Sequence, residues 1–328
     1  MSQAALGWTP KGLVLEIDGV THTIDDPVPR DERYWVRLAG SVTAGLIVVG
    51  SSIWRWSGKA VQPVPCAPGV SPHQHVFRGR RIVAVHDDAA FTWQKGSWTR
   101  HSLPAGFTAV GADFDQSGAL WVVGSVQSDR MPGCDTEAAI RKFRPGGWNS
   151  RALRLGPLAT TRTINRGGMA QIRTIDAAGE PVIATSLCAW FVEDESSFLF
   201  TLRERKDRVT HLPNDVVRMV DRPAPGVARV WTVHGDLWTV DRRPVKRSLR
   251  GPLLKALGLG PRHLVVRAVA GRGDEVLLAV EVAIEGRTSE ADDGEYTAIC
   301  GSSDEGRSFA LRRIDRVIDG PEWCGVAL

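Results

Sequence analysis

Histidine and carboxylate residues are gathered in two short segments that could do chemistry together. His73-Gln74-His75 sets two imidazoles two residues apart, which on a strand places both on one face. His86-Asp87-Asp88 follows an apolar run, and a hairpin would return it beside the first segment. Imidazoles and a carboxylate brought together in this way form a donor set for zinc or another divalent cation. With or without a metal, the same groups could serve as acid and base in a hydrolase or lyase acting on a glycan or another small substrate. Against this, an HxH pair is common by chance, and a slip of one residue in strand register turns every side chain to the other face. The expectation is that these residues face solvent or a partner, with no metal and no cofactor.

Other polar residues fall where strands should begin or end. Arg33, Tyr34, Arg166, Asn214, Asp215, His263 and Glu322 stand at the starts of apolar runs, and His234 and Asp236 at the end of another. Two connections are longer than the two to five residues of a hairpin loop. One spans 127–137, with Asp129, Arg130, Asp135 and Glu137; the other spans 285–295, with Glu285, Arg287, Glu290, Asp292, Asp293 and Glu295. Long loops on a rigid scaffold are where recognition usually resides, so both are expected to contact a partner.

The elements that must carry these residues are strands. Apolar and polar residues alternate in "WVRLAGSV", "AIRKF", "FLFTLRER" and "HLVVRAV", while helical periodicity is nearly absent outside "PLLKALGLG" at 252–260. A phrase of apolar run, small-residue turn, second run with an aromatic, Gly and another aromatic recurs at 46–64, at 82–103, in two pieces at 120–126 and 140–153, and at 230–249. Strand-only repeats of this kind predict an all-β fold, a β-propeller with four strands per blade. The expected blades run from about 35–66, 72–104, 107–156, 160–213, 214–256 and 262–314. A seventh combines 315–328 with 1–25, so that the two ends of the chain share a blade and leave no open edge; six blades are the alternative. The whole of 1–328 is then one domain, with its two long loops and the strand-start residues at one mouth of a ring. Trp54, Trp56, Trp93, Trp98, Trp121, Trp148, Trp231 and Trp238 recur at like places in the phrase and are expected to fill the wedges between blades.

Within the sixth expected blade, "SSDEGRSF" at 302–309 has the order Ser, any, Asp, any, Gly, any, Ser, aromatic. This resembles the Asp-box, or BNR repeat, of sialidase-like β-propellers, with Ser302, Asp304, Gly306, Ser308 and Phe309 on the marked positions. The resemblance implies a propeller fold and a tight structural turn away from any active site. It implies no chemistry.

Composition bounds the rest. The chain has 328 residues, 43% hydrophobic and 24% charged, and no apolar run long enough to span a membrane. Its N-terminus lacks the basic head and apolar core of a signal peptide, so a cytoplasmic location is expected. The five cysteines are scattered without metal-ligand spacing, which fits reduced thiols. The formal charge is +4, and its basic residues are spread through 203–208 and 241–250 instead of being massed, which argues against nucleic acid. The expected function is non-catalytic protein binding by a monomer: a recognition, scaffold or regulatory subunit, inhibitor-like or immunity-like, whose partner is another protein.

Overall fold

The computed structural model describes residues 2–43, 45–78, 81–86, 88–94, 96–114, 119–127, 136–144, 147–152, 169–176, 182–188, 196–201, 208–212, 217–224, 227–241, 243–258, 263–284, 294–317 and 320–328. Among them the strands group into seven four-stranded sheets. In chain order these begin with β1 (Ala4–Thr9), β2 (Gly12–Ile17) and β3 (Val20–Ile24), then β4 (Arg37–Ser41), β5 (Gly45–Val49), β6 (Ile53–Trp56) and β7 (Val61–Val64). Next come β8 (His75–Arg78), β9 (Arg81–His86), β10 (Ala89–Gln94) and β11 (Ser97–Ser102), and β12 (Phe107–Phe114), β13 (Leu120–Gln127), β14 (Thr136–Arg144) and β15 (Gly147–Ala152). They are followed by β16 (Met169–Asp176), β17 (Val182–Cys188), β18 (Ser196–Thr201) and β19 (Arg208–Leu212), and by β20 (Val217–Ala224), β21 (Val227–Thr232), β22 (Asp236–Val240) and β23 (Pro244–Ser248). The helix α1 (Arg250–Leu257) precedes β24 (His263–Arg272), β25 (Glu275–Ile284), β26 (Gly294–Ser302) and β27 (Ala310–Arg316). The last strand, β28 (Glu322–Ala327), joins β1–β3 in the order β28-β1-β2-β3. Successive up-and-down sheets of four strands, with the last strand returning to the first sheet, make this an all-β protein of the β-propeller class.

The sequence explains why each sheet stops at four strands. Their last strands are polar where the earlier ones are apolar: β11 reads SWTRHS, β23 reads PVKRS and β27 reads ALRRIDR, and most of their residues are exposed. Charge and proline on an outer strand blunt further pairing, and β7 and β23 carry Pro63 and Pro244. By contrast β1 and β5 are buried along nearly their whole length, as expected of strands covered on both faces.

The chain forms two compact units. In the first, comprising 1–66, 231–238 and 245–328, the terminal sheet is packed on both sides. Leu6, Leu13 and Leu15 meet Leu46, Val48 and Trp56 on one side; Ala5, Trp323 and Val326 meet Leu277, Ala279 and Ile299 on the other. Each such leucine, removed from water, contributes roughly 1.5–3 kcal/mol. The β28–β1 ladder runs from Ala4↔Ala327 through Leu6↔Gly325 to Trp8↔Glu322, with a bulge at Cys324. A Cβ at Gly325 would lie 2.8 Å from the Leu38 backbone nitrogen, so glycine lets β28 and β4 meet backbone to backbone. The second unit, 67–230 and 239–244, has its own core, in which Val83, Val85 and Ala90 pack on Phe107, Phe114 and Val122.

The tryptophans divide. Trp56, Trp231 and Trp238 are buried, as are Trp8 and Trp323, whereas Trp54, Trp93, Trp98 and Trp121 are half-buried. The side chain of Trp148 lies outside the described residues. α1 ends at Gly258, whose left-handed conformation accepts the helix terminus.

Candidate functional site

A buried ionic cluster assembles in the first unit from residues distant in sequence. Glu322 opens β28, and its carboxylate Oε2 lies 2.7 Å from Arg33 Nε, with both side chains close to nine-tenths buried or more. Arg33 belongs to a 3-10 turn (Arg33–Trp35) just before β4, held by hydrogen bonds from the Trp35 and Val36 amides to Glu32 and Arg33 carbonyls. Glu322 Oε1 is 3.8 Å from Arg267 Nη2, and Arg267 Nε donates to Glu281 Oε2 at 2.5 Å. Arg267 reaches both acids because of backbone geometry. Val266 pairs with Val280 and Ala268 with Ala279, which makes Arg267 the extra residue of a bulge. A bulge bends its strand and re-aims a side chain, here away from the pleat and onto two carboxylates. The same one-residue slip recurs between Ala109 and Gly111 in β12 and between Ile172 and Thr174 in β16.

The structure departs from the expected strand at 73–75, and His75 does not face solvent. Residues 72–74 form a 3-10 turn instead of a strand, closed by a capping box in which Gln74 Oε1 accepts from the Ser71 amide at 3.2 Å. His73 is therefore half-buried on a turn, and only His75 enters β8. His75 is wholly buried. Its Nε2 accepts the Ala67 amide at 3.0 Å, so the proton must sit on Nδ1, which donates to the Ser71 carbonyl at 3.0 Å. With both ring nitrogens bonded to backbone and Trp98 edge-on at 5.3 Å, His75 holds a loop in place and has no lone pair for a metal. His86 is exposed at the end of β9, and Asp88 beside it pairs with Arg100 at 2.8 Å. Among the described residues no three or more His, Cys, Asp or Glu come together as metal ligands.

His234 is exposed in the β21–β22 turn and His263 is exposed as the first residue of β24. Tyr34 lies in the 3-10 turn beside Arg33. Glu137 stands in β14 opposite Val126. Asp87, Arg166, Asp129, Arg130, Asp135, Glu285, Arg287, Glu290, Asp292 and Asp293 lie outside the described residues.

The segment 302–309 is the turn between β26 and β27, at the far end of its sheet from His263. Ser302 Oγ accepts the Asp304 and Gly306 amides at 3.2 and 2.8 Å and donates to Asp304 Oδ1 at 2.7 Å. The Asp304 carboxylate also accepts the Ser308 amide at 2.9 Å and hydroxyl at 2.6 Å, and Gly306 takes φ +78°. These bonds, the Ser308 hydroxyl first, hold the Asp304 carboxyl far below the usual carboxylate range. The Glu305 amide donates to the Asp274 carbonyl at 2.9 Å, and Arg247 donates to the Glu305 carbonyl, pinning the turn to its surroundings. Phe309 packs over Gly306.

A further titrating group stands in no motif of the sequence. His101 on β11 is half-buried, and its Nε2 is 2.9 Å from the Thr92 hydroxyl. Burial pulls its pKa below the ordinary 6.5, so folding favours the neutral ring. The stability this supplies is complete above 6.5 and is lost as pH falls from there to the lowered folded-state value. Chemical denaturation between about pH 7.5 and about pH 5 should show this loss in wild type, and His101→Gln should flatten part of the slope. Equal slopes in the two proteins would remove His101 from the account.

No protein-family model and no curated protein sequence matches the chain. Solved structures do. YCF48 from Cyanidioschyzon merolae aligns at 11% identity with a TM-score of 0.44, over 84% of this chain and 92% of its own. U3-55K aligns at 11% identity and a TM-score of 0.47, over 85% and 81%. The WD40 domain of SCAP from fission yeast aligns at 8% identity and 0.44, over 94% and 80%. These are likenesses of fold alone, and the assignment to the β-propeller class rests on the sheets themselves.

Proposed function

We propose that this chain is a non-catalytic protein-binding β-propeller, a cytoplasmic recognition, scaffold or regulatory subunit that grips another protein. The observation that supports it is the contrast among connections from second to third strands. Most are short, as at 10–11, 50–52, 87–88 and 233–235. Those at 128–135, 189–195 and 285–293 are much longer, and the first and last each leave a hairpin paired to its last residue, Gln127↔Thr136 in one and Ile284↔Gly294 in the other. A long connection on a ladder with fixed register is a variable surface on a stiff mount. The 285–295 connection carries Glu285, Glu290, Asp292, Asp293 and Glu295 against Arg287, and so favours a basic partner surface. Among the described residues no helix is long and apolar enough to cross a membrane.

The test replaces 128–135 and 285–293, singly and together, by short glycine-containing turns. The expected outcome is unchanged folding with at least about tenfold weaker binding of the protein that copurifies with wild type, the size of a lost interface anchor. Full affinity in the double replacement would end the loop assignment.

A further inference from the structure

The first unit contains a recess of about 200 Å³ between the terminal sheet and the β24–β27 sheet, lined among others by Gln3, Glu275, Val276, Gly301, Phe309 and Arg312. It lies at the end of its sheet opposite the ionic cluster, beside the pinned turn 302–309. Two opposite charges line it without pairing with each other. Among the described residues, the buried Glu275 Oε2 has no hydrogen-bond partner. Arg312, one residue from an arginine fully engaged with Asp315 at 2.6 Å and Glu16 at 2.5 Å, forms no ion pair of its own among the described residues. Its guanidinium rests over Gly301, where a Cβ would come within 2.9 Å of Nε. The backbone of Gln3 is fixed by Asp18, whose Oδ1 accepts the Gln3 amide at 2.8 Å, while Gln3 also lines the recess.

A buried carboxylate oxygen without a donor is rare in a folded protein and asks for a partner. A guanidinium lining the same recess, with no ion pair among the described residues, offers a planar fork that matches a carboxylate. A ligand with an ammonium at one end and a carboxylate at the other satisfies both groups at once, and neither charge has to be neutralised by the other. Val276 and Phe309 add apolar surface to the lining. The volume is below the roughly 300–1,000 Å³ of pockets that hold drug-sized molecules, so the ligand is small. We propose that this recess binds a small zwitterion, an aliphatic α-amino acid, with its ammonium on Glu275 and its carboxylate on Arg312. The site is independent of the protein-binding loops.

The experiment is calorimetric titration of the full chain with L-leucine, and with two half-ligands: isoamylamine, which lacks the carboxylate, and isovalerate, which lacks the ammonium. L-leucine should bind saturably at one site and more tightly than either half. Glu275→Gln should weaken L-leucine by about tenfold or more and abolish isoamylamine binding while sparing isovalerate, the loss expected for one charge-assisted hydrogen bond. Arg312→Ala should do the reverse, and Gly301→Ala, which displaces the guanidinium, should follow Arg312→Ala. Circular dichroism of each variant verifies that the fold is kept. Absence of saturable L-leucine binding to wild type, or equal binding to wild type, Glu275→Gln and Arg312→Ala, would overturn the proposal.

Discussion

Trp323→Ala is expected to reduce the free energy of unfolding by about 3–5 kcal/mol, the range for removing a large buried aromatic. Trp323 is wholly buried on β28 and packs with Ala5, Leu277, Ala279 and Ile299, so its loss opens a cavity between the terminal sheet and the β24–β27 sheet. Polar contacts go with it. The indole Nε1 donates to Asp315 Oδ2 at 2.7 Å, and the Arg313 guanidinium lies 4.8 Å from the ring centre. Trp323→Phe should cost less, on the order of 1–2 kcal/mol, because most of the apolar surface stays and one hydrogen bond to a charged group is lost. Urea denaturation of the three proteins checks the order. A Trp323→Ala protein as stable as Trp323→Phe would mean that the cavity closes and that the hydrogen bond carries the effect.

Glu322→Ala should be about as damaging for a different reason. The carboxylate is the shared partner of Arg33 and Arg267, and the Glu322 and Arg33 side chains are only 7% and 12% exposed. At that depth solvent screening is slight. Removing one member of a buried ion pair typically costs about 3–5 kcal/mol, because the remaining charge stays desolvated and unmatched. Arg267 keeps Glu281, and Arg33 keeps the Arg30 carbonyl to which its Nη1 donates, so the penalty is shared between the two arginines. A double-mutant cycle with Arg33→Met separates the two parts: the double variant should recover much of the loss, since replacing both charges with apolar groups is often near neutral. Glu322→Ala within about 0.5 kcal/mol of wild type would show that the cluster is solvated in solution and structurally idle.

Much of the fold can be read from the sequence because strand signals are local. A period of two, turns rich in Gly and Pro, and charged last strands each need only a few neighbouring residues. The sharing of one sheet by both ends follows from unmatched strands at 4–24 and 322–327, which have no other edge to complete. The site was less legible. Arg33 and Glu322 stand out as polar residues at strand starts, but Arg267 reaches them through a bulge, whose only trace is a shift of alternation within HLVVRAVAGR. His75 misleads for the opposite reason. Read as half of an HxH pair it is a ligand, yet Ser71-Pro72-His73-Gln74 already carries the cap-and-proline signature of a helical turn, which takes residues 72–74 out of the strand. The recess beside Arg312 left no sequence signal, because its lining comes from segments far apart in the chain.

The pairing of β28 with β1 also sets a timetable for the ribosome. At about 5–20 residues per second, β1–β3 emerge early and β28 follows only after all the other strands have been made. Until then the first sheet has three strands, and the β1 edge, apolar along its length, has no cover. Contacts as remote as Ala4 with Ala327 form late, because chain entropy is lost before they give anything in return. The docking of β28 is therefore expected to be the slow step of maturation, and the bare edge of β1 is the place where two nascent chains would adhere to one another.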